Sequence, residues 1–313
     1  MTRTFKPGET FNYKLTIKNN TDKAVEDGVV YDVLPKVKDV NTLDGSGRMT
    51  EYTVSLRGPV TAPEGWTVYY TTDTGVTTDT MAQAADKDIW TTAVSDYSQV
   101  TGIKLVANAG TTIPARGEAS FGVPVVNPSE LTDEVKALMQ KRTKDNEDNG
   151  GRSGLVQAHN QFGYKAKGHE GNRESNTVTA QIFSAAFQVK KVDKDDPKKV
   201  LEGAEFTLTD VNGAVVATAT SDKKGELSFN TLTEGTYTLK ETKAPENYKL
   251  DETEHAVVVT YDADKQIYHV TVDGKAVGSK AVPVEIANEA DIKYLDLEAS
   301  KVWDDQDNQE GLR

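Results

Sequence analysis

The 313-residue chain is acidic, with 49 Asp and Glu against 36 Lys and Arg and a formal net charge of −13, and 36% of it is hydrophobic. That length suffices for two ordinary domains with cores of their own, while the charge argues against nucleic acid or an anionic membrane as the main partner. Cysteine is absent, no apolar run approaches a membrane span, and the four histidines (His159, His169, His255, His269) lack ligand spacing, so disulfides, thiolate chemistry, a bilayer segment, a metal and a cofactor are not expected.

Residues 10–18 alternate, with Phe11, Tyr13, Leu15 and Ile17 on one face and Asn12, Lys14, Thr16 and Lys18 on the other. This pattern predicts a half-buried antiparallel strand, and Asn19-Asn20-Thr21-Asp22 predicts the turn after it. Further strand-like runs at 28–34, 51–57, 66–72, 102–108, 117–126, 154–165 and 176–187 are separated by Gly, Pro, Asn and Asp clusters, which indicates a β-sandwich. One helix interrupts them near 129–142. Pro128-Ser129 opens it, Asp133 and Glu134 occupy its first turn, Lys141-Arg142 close it, and Leu131, Val135, Leu138 and Met139 form its apolar stripe. The expected role is to cover one edge of the sandwich, and the polar stretch from Lys144 to Gly154 reads as a loop.

From about 185 the register changes, with strand runs at 187–192, 203–209, 214–220, 226–230, 236–241, 255–261, 266–272 and 282–288. Asn212-Gly213 and Asp273-Gly274 are two-residue hairpin signals. The expected architecture is all-β: an Ig-like β-sandwich over 1–184 with a short inserted helix, a second β-sandwich over 185–291, and the start of a further domain over 292–313. Nothing at Met1 resembles a signal peptide and Leu312-Arg313 stops in mid-pattern, so the chain reads as a piece of something longer.

Strand periodicity singles out three residues in the second sandwich. Tyr237, Leu239 and Glu241 share a face, as do Phe187, Val189 and Lys191, and as do Val282, Val284, Ile286 and Asn288. Three inward stripes therefore end in an amine, a carboxyl and an amide. Burial disfavours both charged forms. A neutral amine is a nucleophile, and a carboxylic acid can hydrogen-bond the Asn288 side chain and polarise its carbonyl. Attack with loss of ammonia gives a Lys–Asn isopeptide bond, with Glu241 shuttling protons. Periodicity alone fits better a buried Lys–Glu ion pair beside an asparagine, or partly exposed strand ends.

Phe187-Gln-Val-Lys-Lys-Val-Asp193, Leu201-Glu-Gly-Ala-Glu-Phe-Thr-Leu208, Gly235-Thr-Tyr-Thr-Leu-Lys-Glu-Thr-Lys-Ala-Pro245 and Glu285-Ile-Ala-Asn288 resemble the Cna B-type domains, and more narrowly the SpaA-type repeat of Gram-positive pilins and surface adhesins. The resemblance covers 185–291 and implies that Lys191 and Asn288 form the isopeptide bond with Glu241 as proton shuttle. Asn247-Tyr248 departs from the family's usual Gly-Tyr. Lys301-Val-Trp-Asp-Asp resembles the opening of another B-type domain, with Lys301 as its reactive lysine.

Phe5-Lys-Pro-Gly-Glu-Thr-Phe-Asn-Tyr13, Val29-Val-Tyr-Asp-Val-Leu-Pro35 and Val156-Gln-Ala-His-Asn-Gln-Phe-Gly-Tyr164 resemble Ig-like adhesin repeats, including the Cna A-type domains. That resemblance implies Lys6, Asp32 and Asn160 as a second crosslinking set. Alternation supports Asp32 and Asn160 but gives Lys6 no stripe, and Lys14 is the alternative amine.

These readings imply a structural or adhesive stalk segment of a Gram-positive cell-wall protein, extracellular, with neighbouring domains of the same polypeptide as its partners. The absence of an evident sortase signal or pilin-motif lysine leans toward a monomeric adhesin. The alternative makes the first sandwich a ligand-binding module for a host protein or glycan. Its candidate surface is the loops at 73–100 and 140–176, with Trp66, Tyr69, Tyr70, Trp90 and Tyr97 as possible contacts. No nucleophile–base set for a turnover enzyme is visible.

Overall fold

The computed structural model describes residues 1–41, 46–75, 88–145, 154–277, 283–291 and 299–300. Val282, residues 292–298 and 301–313 of the proposed further domain (Lys301 among them), and parts of both candidate loops lie outside the described residues.

The first sandwich is built from β1 (Thr2–Phe5), β2 (Thr10–Lys18), β3 (Val25–Glu26), β4 (Val29–Val33), β5 (Ser55–Leu56), β6 (Trp66–Thr71), β7 (Gly102–Ala107), β8 (Thr112–Ile113) and β9 (Glu118–Val126). The helix α1 (Asp133–Asp145) follows, then β10 (Val156–Asn160), β11 (Phe162–Ala166), β12 (His169–Glu174) and β13 (Val178–Ile182). Strand orders are β1-β13-β10, β12-β11-β4-β7-β6, β2-β9-β5 and β3-β8. As the alternation predicts, Tyr13, Leu15 and Ile17 are buried while Asn12, Lys14 and Lys18 are exposed. Trp66 packs edge-on against Phe121 and Tyr70 against Tyr97.

The helix starts at Asp133, later than Pro128-Ser129 suggests. The Pro128 carbonyl is taken by the Gly8 N–H, and Thr132 provides the cap, its hydroxyl accepting from Val135 N–H. Met139 and Val135 are buried and Leu131 and Leu138 pack against the same core. Arg142 clasps Glu51 with both guanidinium arms, tying α1 to the sandwich. No helix among the described residues is long and apolar enough to cross a membrane.

The second sandwich comprises β14 (Ala185–Asp193), β15 (Glu205–Asp210), β16 (Val215–Thr220), β17 (Glu226–Leu232), β18 (Gly235–Lys243), β19 (Glu254–Asp262), β20 (Ile267–Val272), β21 (Lys275–Val277) and β22 (Val284–Asn288). It has two facing sheets, β17-β14-β22 and β16-β15-β18-β19-β20-β21. Asp273-Gly274 is a tight turn with both residues at positive φ (50° and 76°) between paired Val272 and Lys275, the geometry of a type I′ hairpin. Asn212-Gly213 differs: only Gly213 is left-handed, and Asp210 closes a wider loop by accepting from the Asn212 and Ala214 amides.

Two main core clusters divide between Ile182 and Phe183. The sandwiches touch through the Lys6–Glu234 ion pair (2.6 Å) and a bond from Gln266 Nε2 to the Thr4 carbonyl (3.1 Å).

Candidate crosslinking site

The three inward stripes converge between the two sheets of the second sandwich. In β14 the burial pattern puts Phe187, Val189 and Lys191 inside; in β18 it does the same for Tyr237, Leu239 and Glu241, and in β22 for Ile286 and Asn288. β14 and β22 are parallel neighbours, with Lys191 opposite Ile286 and Asp193 opposite Asn288. Lys191 is held from behind by backbone bonds: its N–H donates to Gly225 and its carbonyl accepts from Leu201. Gly225 is left-handed (φ 71°), and a Cβ there would lie 2.5 Å from the Lys191 carbonyl oxygen, so this close approach requires glycine.

Lys191 is fully buried, Glu241 is 2% exposed and Asn288 1%. Lys191 Nζ lies 3.2 Å from Glu241 Oε1 and 5.2 Å from the Phe206 ring centroid. Asn288 Nδ2 donates to Glu241 Oε2 at 2.7 Å and to the Lys249 carbonyl at 2.7 Å. The Asp251 N–H donates to the same Oε2 at 2.8 Å, and Asn288 Oδ1 has no hydrogen-bond partner. Burial pushes the Lys191 ammonium below its ordinary range, against the opposing pull of Glu241 and Asp251. The carboxyl thus faces the amine with one oxygen and the amide nitrogen, rather than the amide carbonyl, with the other.

Sequence periodicity did not reach Lys249, Asp251 or Tyr248, because they act through backbone groups or lie in a connection. Tyr248 Oη donates to Asp193 Oδ2 at 2.7 Å. That bond, with the Asp195 and Asp196 amides and Lys199, lowers the Asp193 carboxyl to about 2.

In the first sandwich the structure brings Asp32 and Asn160 together but not Lys6. Asp32 is fully buried, and Asn160 Nδ2 donates to its Oδ2 at 3.3 Å. Burial pushes Asp32 up to about 7, opposed by Arg48 and by the Asn160 bond. The cation acting on Asp32 is therefore Arg48, whose guanidinium also bonds the Val33 carbonyl and Asp39. Lys6 lies in the turn after β1, a third exposed and paired with Glu234, because Pro7-Gly8 turns the chain away from the core before β2 begins. Lys14 is exposed on β2. Of the candidate contact aromatics, Tyr70 is buried, which removes it from a binding surface, and Trp66 is half-buried against the core; the rings of Tyr69 and Trp90 each lie 5.6 Å from Lys104 Nζ.

No curated protein matches the chain. Among solved structures, the chain is similar to the group B streptococcus pilus 2b backbone protein (15% identity, TM-score 0.38, covering 92% of this chain and 95% of that one). It is also similar to BcpA, the major pilin subunit of Bacillus cereus (16%, 0.37, 92% and 66%), and to the RrgB pilus protein of Streptococcus pneumoniae (11%, 0.40, 95% and 70%). Residues 185–276, which carry Lys191 and Glu241 and stop short of Asn288, match the family model of the SpaA prealbumin-like fold domain.

Proposed function

We propose that the chain is a load-bearing segment of a Gram-positive surface stalk or pilus, organised as domains 1–184 and 185–291 with a further domain beginning at 292, and that its second domain crosslinks itself through Lys191 and Asn288. The observation that carries this reading is the buried amine–carboxyl–amide contact, with Glu241 bridging Nζ at 3.2 Å and Nδ2 at 2.7 Å.

The chemistry balances within the trio. Lys191 passes a proton to Glu241 Oε1, which removes both charges from a site that solvates neither. The free amine attacks the Asn288 side-chain carbonyl carbon. Glu241 protonates Nδ2, the C–N bond breaks, ammonia leaves, and the excess proton on Nζ returns to the carboxylate. One C–N bond forms and one breaks; of the two protons Lys191 gives up, one leaves with the ammonia and the other stays on Glu241, which began as a carboxylate and ends as the acid. The event happens once per molecule, so the chain is not a turnover enzyme.

The bond would join adjacent parallel strands at the ends of the domain and close nearly all of it into a loop. By the entropy model for disulfides, a loop near 100 residues is worth about 4–5 kcal/mol. Intact mass tests the proposal: each bond removes one ammonia, about 17 Da, and Lys191→Ala or Glu241→Ala restores it.

A second reading, in which the first domain binds a host protein or glycan, is favoured by one feature. A cleft of about 680 Å³ lined by Lys36, Thr53, Thr72, Thr91, Asp96 and Thr101 opens beside the 88–101 loop. Asp96→Ala with Thr91→Ala would abolish binding in that case and leave the crosslink untouched; binding by the second domain alone would refute it.

A further inference from the structure

We propose that residues 245–251 form a strap that positions the Asn288 amide for reaction, and that Tyr248 is its latch on Asp193. This rests on the crosslinking reading above and deepens it by naming what orients the leaving group.

An asparagine side chain can present either end to a carboxyl group, since its two ends are nearly the same size. The Lys249 carbonyl decides which. A backbone carbonyl only accepts, so at 2.7 Å it selects the Nδ2 end of Asn288. That choice places the second N–H on Glu241 Oε2 and leaves Oδ1 outside both contacts. The nitrogen that must leave as ammonia is thereby held against the proton donor. The strap also fixes the donor, because the Asp251 N–H bonds the same Oε2 at 2.8 Å. Two backbone groups of one short segment thus hold both halves of the proton-transfer contact.

The strap is fastened on two sides. Toward β22, the Lys249 N–H donates to the Glu289 carbonyl at 2.9 Å, the Asp291 N–H donates to the Asn247 carbonyl at 2.8 Å, and Tyr248 bridges to Ala290. Toward β14, the Tyr248 hydroxyl donates to Asp193 at 2.7 Å, and Lys199 Nζ stands 5.4 Å from its ring centroid. Asp193 is the register partner of Asn288, so this bond closes the strap over the strand pair that carries the amine and the amide. Asn247 makes the necessary reversal at φ 67°, a conformation that asparagine tolerates better than most residues. Tyr248 touches none of the reacting groups. Its role is positional.

The test is timed cell-free synthesis of the full chain, quenched at intervals and read by intact mass. Tyr248→Phe keeps the ring and removes the hydroxyl, and it is expected to slow ammonia loss about tenfold, the scale of one hydrogen bond to a charged group. Asp193→Asn, which retains an acceptor for the hydroxyl, is expected to slow it less. Both changes are repeated in the Lys191→Ala background, where no bond forms. There the thermal midpoint is expected to stay within about 2 °C, while amide exchange at Asp251 accelerates. Wild-type rates in both variants overturn the strap. So does slowing matched by an equal loss of stability in the Lys191→Ala background. A folded wild-type chain at full mass overturns the crosslinking reading itself, and the strap with it.

Discussion

A buried lysine faces a buried carboxyl in the second sandwich, and a buried aspartate meets an asparagine in the first, yet the two sites differ in their cation. Lys191 can give up its proton and become a nucleophile; Arg48, beside Asp32, stays charged and has no such chemistry. Glu241→Ala should therefore leave the Lys191 ammonium unpaired in the interior, at a cost of about 3–5 kcal/mol beyond the lost bond. Lys191→Met keeps the apolar stem and should unfold at a higher urea concentration than Glu241→Ala, though both retain full mass. The Asp32 site gives a pH signature of its own. With its carboxyl pushed up to about 7, the folded chain holds a proton that the unfolded chain releases above about pH 4. Its stabilising contribution is complete below about pH 4, declines as pH rises toward 7 and is absent above that. Urea midpoints of the first sandwich should accordingly be lower at about pH 8 than at about pH 5, and Asp32→Asn should flatten that slope; an unchanged slope would contradict the assignment. The buried placement of Lys191, Glu241, Asn288, Asp32 and Asn160 was legible because strands alternate with period 2. Alternation could not place Lys6, which sits in a turn and rested on the resemblance alone, and Arg48 was invisible because it reaches the core from an irregular loop by the length of its side chain.

At the level of elements, the strands that alternate between apolar and polar residues were readable and the others were not. β1, Thr-Arg-Thr-Phe, has a single apolar residue, and β12, His-Glu-Gly-Asn-Arg-Glu, has none; both lie at sheet edges, where backbone pairing, and not a buried stripe, sets the conformation. The helix boundary shifted because Pro128 is committed to the β1–β2 turn. Within α1, Met139 is fully buried, and Met139→Ala should cost about 2–5 kcal/mol in chemical denaturation; a value near zero would mean that the helix does not seal the core. The turn before β17 bears on the chemistry. A methyl group at Gly225 would press on the Lys191 carbonyl at 2.5 Å in a left-handed backbone. Gly225→Ala should displace Lys191 and lower the fraction of chains that lose ammonia, whereas Gly274→Ala, with nothing within 4 Å of its Cβ, should cost about 1 kcal/mol of stability and leave the crosslink complete.

For the molecule as a whole, the topology decides how force would pass. β14 opens the second sandwich and β22 closes it, side by side and parallel. Tension applied at the two ends would shear this pair. A bond from Lys191 to Asn288 would carry the load from strand to strand and bypass the core and the larger sheet, suiting a stalk under flow. Among the described residues the cation acting on Asp32 is Arg48, while Lys6 pairs with Glu234 and Lys14 is exposed, so one crosslink is expected in the chain and not two. The most direct measurement is the intact mass of the folded protein. A deficit of about 17 Da, one ammonia, is expected, and Lys191→Ala and Glu241→Ala should each abolish it. A folded wild-type chain at its full unmodified mass would contradict it.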